Sequence, residues 1–179
     1  MTKVIVTGAL GRMGRETIAY LAKESTIDLA GGVPGGRSIR AILLGGAAGV
    51  FVGPDALDTP LTFEGTRAIG ATLGSGVVMV FDETADLVGT LRRIAAFFRD
   101  ESCGQCVPCR VGTVRQEELL ARLEADRPLG SRQDEVALLR EIGQAMRDAS
   151  ICGLGQTASS AIESAFRTGL TGLEGMAVG

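Results

Sequence analysis

The chain predicts an α+β fold in which a small sheet comes first and a helical bundle follows. Three observations predict it. Glycine-punctuated, strand-like runs fill residues 35–81, and apolar residues recur at helical spacing from residue 84 onward. Three of the four cysteines fall within residues 103–109, in a loop between two expected helices.

Residues 1 to about 33 read as a strand over Val4-Ile-Val6, a glycine turn, and a helix of about ten residues through Ile18, Leu21 and Ala22. Candidate strands follow at Ile39–Leu44, Gly49–Val52 and Gly76–Phe81, separated by Gly45-Gly46, by Pro54-Asp55 and by Gly74-Ser-Gly76. Leu87, Leu91, Ile94, Ala95 and Phe98 share one helical face, so a helix is expected from about Ala85 to Arg99, delivering the chain to the cysteines. Thr113-x-x-Gln116 has the pattern of a capping box opening a second helix, which Pro128-Leu-Gly130 ends. A third helix carries Leu139, Ile142, Met146 and Ala149 and stops before Cys152; a fourth, after Thr157, holds Ala161, Ile162 and Ala165.

Composition narrows the function classes. At 179 residues, 45% hydrophobic and 22% charged, the chain has the make-up of a folded protein of one or two small domains. A net charge of −3 without a polybasic tract argues against nucleic acid as a partner. The longest apolar run, Ala41 to Val52, is shorter than the roughly 20 residues of a spanning helix. No basic-then-apolar leader is read, so a cytoplasmic, reducing setting is expected, where clustered cysteines bind metal or do redox work more often than they form disulfides. The complete lack of histidine excludes His-bearing zinc sites, Rieske centres and Cys-His catalytic pairs.

Cys103, Cys106 and Cys109 form Cys-x-x-Cys-x-x-Cys inside Glu101-Ser-Cys-Gly-Gln-Cys-Val-Pro-Cys-Arg110, and Cys152 stands alone downstream. Such a loop supplies three corners of a 4Fe-4S cube locally, and folding supplies the fourth. Three cysteines at this spacing would be spread around a regular helix, and Gly104 and Pro108 discourage one, so an irregular loop is expected. The residues from 110 to 151 accommodate an antiparallel helical pair, which would return Cys152 to that loop. Two other readings stay open: a structural zinc site held by the four cysteines, and buried thiols or disulfides. Asp82, Glu83 and Asp86 fit a helix start better than a carboxylate site. Arg92, Arg93, Arg110 and Arg115 are either solvated or placed to offset cluster charge, and Met13 and Met146 are read as packing residues.

Phe81-Asp-Glu-Thr, Leu91-Arg-Arg-Ile-Ala-Ala-Phe-Phe, the cysteine run through Thr113 and Cys152-Gly-Leu-Gly-Gln-Thr157 resemble the NADH-binding flavoprotein subunit of respiratory complex I. They are closer still to its relatives in NAD-reducing hydrogenases and NAD-dependent formate dehydrogenases. The resemblance spans roughly residues 30–170. It implies that the segment from Ala30 to Phe81 is a β-grasp (ubiquitin-like) module. It further implies that the bundle carries a 4Fe-4S cluster held by Cys103, Cys106, Cys109 and Cys152. The FMN and NADH segment of that family lies upstream of the β-grasp module and has no counterpart here, so the chain looks like a fragment or detached module.

Gly8-x-x-Gly11-x-x-Gly14 is a dinucleotide-type turn, with its glycines placed to seat a pyrophosphate at a helix N-terminus. Val6-Thr-Gly-Ala-Leu-Gly-Arg-Met-Gly14 resembles the opening of dihydrodipicolinate reductase, a user of NAD(P)H, over residues 1 to about 33. Three readings compete: a working NAD(P)H site, a strand and helix lent to the β-grasp module, or two parent sequences joined near the Ala30-Gly-Gly-Val33 turn.

The expected organisation is thus a β-grasp-like module with an atypical β-α start (1–83) and a helical 4Fe-4S-binding domain (84–179). The expected function is electron relay from FMN, on a missing part or a partner, through one cluster. No catalytic residue is named. The chain reads as a component of an NADH:acceptor oxidoreductase of quinone, hydrogenase or formate dehydrogenase type, inactive alone. FMN and NADH belong only to the parent assembly. Its partners are the flavoprotein part and other iron–sulfur subunits, with no nucleic acid and no direct membrane span, and its location is cytoplasmic or peripheral to a membrane complex.

Overall fold

The computed structural model describes residues 2–4, 27–29 and 37–172. Strands β1 (Thr2–Val4) and β2 (Ile27–Leu29) pair in parallel, with Lys3 opposite Asp28. They form a two-stranded sheet separate from the antiparallel sheet of β3 (Ile39–Leu44), β4 (Val50–Val52) and β5 (Val78–Asp82), whose order is β4-β3-β5. The opening strand is therefore paired with β2 and not with the three-stranded sheet, and β2 occupies a segment to which the sequence reading assigned no element. The expected glycine turn and the helix through Ile18, with Gly8, Gly11, Gly14 and Met13, lie outside the described residues.

Strand β3 is the centre of its sheet because both of its faces are covered. Ala41 and Leu43 point with Phe51 into the core shared with the helices, while Ile42 and Leu44 join Val52 and Val78 on the other face. The register places Leu43 opposite both Phe51 and Met79, and Phe81 opposite Ala41. The Phe51 and Phe81 rings lie 5.6 Å apart, centroid to centroid. Between β4 and β5, where no helix was expected, a short helix α1 (Phe63–Ala68) starts at Thr62, whose hydroxyl accepts from the Gly65 N–H.

Five helices follow: α2 (Leu87–Glu101), α3 (Val107–Glu124), α4 (Arg132–Ala149), α5 (Gly153–Thr157) and α6 (Ser160–Arg167). Asp86 caps α2 by accepting from the Gly89 N–H at 2.8 Å, and Asp82 accepts from the Thr84 N–H and hydroxyl and pairs with Arg37. Asp82 and Asp86 at this helix start are thus spent on a turn and a cap, as the sequence suggested.

The second helix departs from expectation. Helix α3 opens at Val107, and Thr113 and Gln116 are buried inside it; the Thr113 hydroxyl donates back to the Cys109 carbonyl at 2.9 Å. Pro108 falls in the first turn, where its missing N–H has no helical partner to lose and its fixed φ suits the helix, so it starts α3 instead of preventing it.

Helices α3 and α4 form an antiparallel hairpin closed by a buried ion pair. Arg122 meets both carboxylate oxygens of Glu135 at 2.7 Å, and the Leu129 N–H from the connecting loop donates to one of them at 2.7 Å. Glu135 is 1% exposed, and α4 opens with a capping box between Ser131 and Asp134. Sheet and helices are tied by the Ser164 hydroxyl, which accepts from the Phe51 N–H at 2.8 Å, and by Arg40, which donates to the Ala85 and Leu170 carbonyls. Among the described residues no helix is long and apolar enough to cross a membrane.

The Arg122 guanidinium holds the Glu135 carboxyl below the usual carboxylate range, overcoming the opposing effect of burial, and the Leu129 N–H adds to it. Breaking a buried pair by removing one partner costs about 3–5 kcal/mol, and the partial exposure of Arg122 lowers this to roughly 2–3 kcal/mol for Glu135→Gln near pH 7. Because the folded-state pKa is depressed, this stability is full above the unfolded carboxylate pKa and is lost as pH falls through the folded one. Urea unfolding of both proteins from pH 7 downward should show a gap that narrows below about pH 4.3, the unfolded value for Glu. A constant gap across that range would contradict the assignment.

Candidate metal centre

The four cysteines reach one place from three helix ends. Cys103 follows the C-cap of α2, Ser102, and precedes Gly104, whose φ of 73° turns the chain sharply. Cys106 is the N-cap of α3, Cys109 lies in that helix's first turn, and Cys152 is the N-cap of α5. The expectation of an irregular loop through all three clustered cysteines thus holds for Cys103 and Cys106, whereas Cys109 is helical.

Together Cys103, Cys106, Cys109 and Cys152 line a cavity of about 220 Å³, with Ser102, Ile151 and Leu154 among the other walls. A water molecule's share of liquid volume is about 30 Å³, so the space suits a group of several heavy atoms. Cys109 is buried, Cys106 half-buried, Cys103 and Cys152 exposed, and none of the four is in a disulfide. The chamber opens to the surface on the Cys103 and Cys152 side.

Its polarity is arranged for anionic sulfur. Backbone N–H groups of Ile151 and Cys109 hold the Cys106 thiol below its ordinary range, burial acting in the opposite direction and the nearby Ser150 hydroxyl assisting. The N-terminus of α3, an 18-residue helix, faces the same space and favours negative charge there. The Ser102 hydroxyl lies 3.3 Å from Cys109 Sγ. Ser150 Oγ is buried and lacks a partner of good hydrogen-bond geometry.

Close packing holds Cys152 in position. A Cβ built on Gly155 would overlap Ser150 Oγ and come within 2.9 Å of Cys109 Cβ, so only glycine lets α5 lie against α3 here. Of the four arginines considered for offsetting cluster charge, Arg110 alone binds the cysteine loop, donating to the Gly104 carbonyl at 3.2 Å. Arg92 pairs with Glu124, Arg115 with Glu118, and Arg93 donates to the Thr90 hydroxyl. The sequence reading missed Ser102 and Ser150. Adjacency to a cysteine was the available signal for Ser102, and for Ser150 its place two residues before Cys152.

The chain is similar to known proteins of one kind. The family described as the NADH-ubiquinone oxidoreductase-F iron-sulfur binding region matches residues 89–169. The F subunit of the NADH-quinone oxidoreductase of Mycobacterium tuberculosis (strain ATCC 25618 / H37Rv) is 38% identical over 163 residues, 90% of this chain and 36% of that protein. The NADP-reducing hydrogenase subunit HndC of Solidesulfovibrio fructosivorans is 34% identical over 146 residues, 82% of this chain and 29% of the other. A crystal structure of NAD+-reducing NiFe hydrogenase in the H2-reduced state superposes with a TM-score of 0.64 at 32% identity, covering 76% of this chain and 23% of that one. The chain thus spans about a third of the length of these curated relatives. The likeness over residues 89–169 is to the iron–sulfur binding region of NADH-ubiquinone oxidoreductase F subunits.

Proposed function

We propose that this chain is an electron-relay module in which Cys103, Cys106, Cys109 and Cys152 are the ligands of one 4Fe-4S cluster. The observation that carries the reading is the gathering of all four thiols, from two distant segments, around one cavity of about 220 Å³. The spacing favours a cluster over zinc, because four-cysteine zinc sites more usually show two separated Cys-x-x-Cys pairs. When bound, the cluster supplies one-electron transfer without a proton.

The chain's own residues fix and tune that group. Two corners sit on a rigid helix start, the backbone N–H groups around Cys106 offset negative charge, and the exposed side at Cys103 and Cys152 gives an electron a short way out. Val107 and Ile151, which follow Cys106 and precede Cys152, are 59% and 73% exposed. Apolar side chains so placed suit coverage by another protein surface.

On this reading the donor is the FMN- and NADH-binding flavoprotein part and the acceptor another iron–sulfur subunit, in a cytoplasmic complex or one peripheral to a membrane. Residues 1–83 then form a β-grasp-like unit and residues 84–179 the cluster-binding unit. The parent reaction is NADH:acceptor oxidoreduction, and this chain alone takes no hydride.

Replacing Cys152 by Ser should abolish or halve cluster retention, although it is far from the other three in sequence, because an open corner exposes iron to exchange and oxidation. Iron content and visible absorbance after anaerobic reconstitution measure this, and an unchanged cluster in Cys152→Ser would remove it from the ligand set. A second outcome concerns nicotinamide. Calorimetric titration of the loaded chain with NADH and NADPH should give no stoichiometric binding, and an artificial acceptor should draw no electrons from NADH. Micromolar binding lost in Gly11→Asp would instead make Gly8, Gly11 and Gly14 a working site.

A further inference from the structure

We propose that Ser150, with Ser102 as its counterpart at Cys109, is a positioning residue that raises the reduction potential of the cysteine-bound cluster by donating a hydroxyl hydrogen bond to the sulfur of Cys106. The inference rests on the cysteines being the ligands.

Ser150 is the C-cap of α4, two residues before Cys152. Its backbone is fully used: the N–H donates to the Met146 carbonyl at 3.1 Å, and its own carbonyl accepts from Gln156 Nε2 at 3.0 Å. Its hydroxyl is not. The residue is 6% exposed, and Ser150 Oγ has no partner of good geometry in the folded chain. Other buried seryl hydroxyls are satisfied, Ser159 by Arg147 and Ser164 by the Phe51 N–H and the Ala161 carbonyl. A buried hydroxyl without a well-aligned partner is costly and native structures rarely keep one, so the Ser150 donor points to an acceptor close by, and the neighbouring Cys106 sulfur becomes a full acceptor once it ligates as a thiolate.

Gly155 explains why the hydroxyl stays there. The α5 backbone packs so closely that a Cβ at 155 would meet Ser150 Oγ, Ser150 Cβ and Cys109 Cβ, which leaves the Ser150 side chain little room beside Cys109. Ser102 shows the completed arrangement. Its oxygen accepts from the Gly104 N–H at 3.3 Å, which leaves its proton for Cys109 Sγ at 3.3 Å.

The physical consequence has one sign. Reduction brings one electron from the donor onto the cluster and makes the sulfurs more negative, and no proton or bond is exchanged with the serines. A hydrogen bond to sulfur strengthens with that charge, stabilises the reduced form more than the oxidised form, and raises the potential.

The test is an EPR-monitored redox titration, with dithionite as reductant, of the anaerobically reconstituted full chain. Wild type, Ser150→Ala, Ser102→Ala and Ser164→Ala are compared, each assayed for iron and sulfide. Ser150→Ala and Ser102→Ala should keep full iron and sulfide and become harder to reduce. Each should lose about tenfold in the equilibrium constant for reduction, a fall of about 59 mV for a one-electron couple. Ser164→Ala, which loses a contact far from the chamber, should melt earlier with its midpoint unmoved. A fully loaded Ser150→Ala with the wild-type midpoint overturns the inference while leaving the ligand reading intact. Loss of iron from Ser150→Ala at wild-type thermal stability also overturns it, making the hydroxyl an assembly contact. Absence of iron and sulfide from the wild type itself would instead overturn the ligand reading.

Discussion

Everything at the cysteine chamber depends on the α3–α4 hairpin. The two helices have the same length, 18 residues each, so each carries the chain about 27 Å at 1.5 Å per residue. Equal outward and return paths bring Cys152 back to the helix start that carries Cys106 and Cys109. The turn at the far end is held by Glu135, which joins Arg122 on one helix to the Leu129 N–H in the loop while sitting in α4 itself. A distant buried carboxylate thereby sets where the fourth thiol lands.

Packing fixes the remaining freedom. Gly112 on α3 lies against Met146 on α4, where a Cβ would come within 2.6 Å of its side chain, and Gly155 lies against Ser150 and Cys109. These close approaches leave the interior no room to slide, so the three helix ends meet as one rigid frame. Such a frame suits a relay. A site that holds its geometry in both charge states spends little on reorganisation, and its potential is left to hydrogen bonds, nearby charge and exposure.

Much of this was legible in the sequence, and the exceptions have physical reasons. Strand β3 matches the expected Ile39–Leu44 because a run of aliphatic residues bounded by glycines has few other uses. The helical face through Leu87, Leu91, Ile94, Ala95 and Phe98 is the buried face of α2. Pro108 misled because a proline reads as a helix breaker in isolation but as a starter once Cys106 is known to be the cap. The capping-box pattern at Thr113 and Gln116 misled for the converse reason, since the same residue types occur inside a helix when their side chains are buried. Helix α5 went unread because five residues rich in glycine carry no periodicity. The cysteines themselves were plain from spacing. Their convergence with Ser102 and Ser150 was not, because it is made by tertiary packing.

The most direct test of the account is native mass spectrometry of the full chain after anaerobic reconstitution with iron and sulfide, read alongside its Mössbauer spectrum. The account predicts a mass increment of about four irons and four sulfides per chain, with the spectrum of a cubane cluster that accepts one electron. A chain that takes up a single zinc ion and no sulfide, or that keeps its cluster after all of Cys103, Cys106, Cys109 and Cys152 are replaced by Ser, would contradict it.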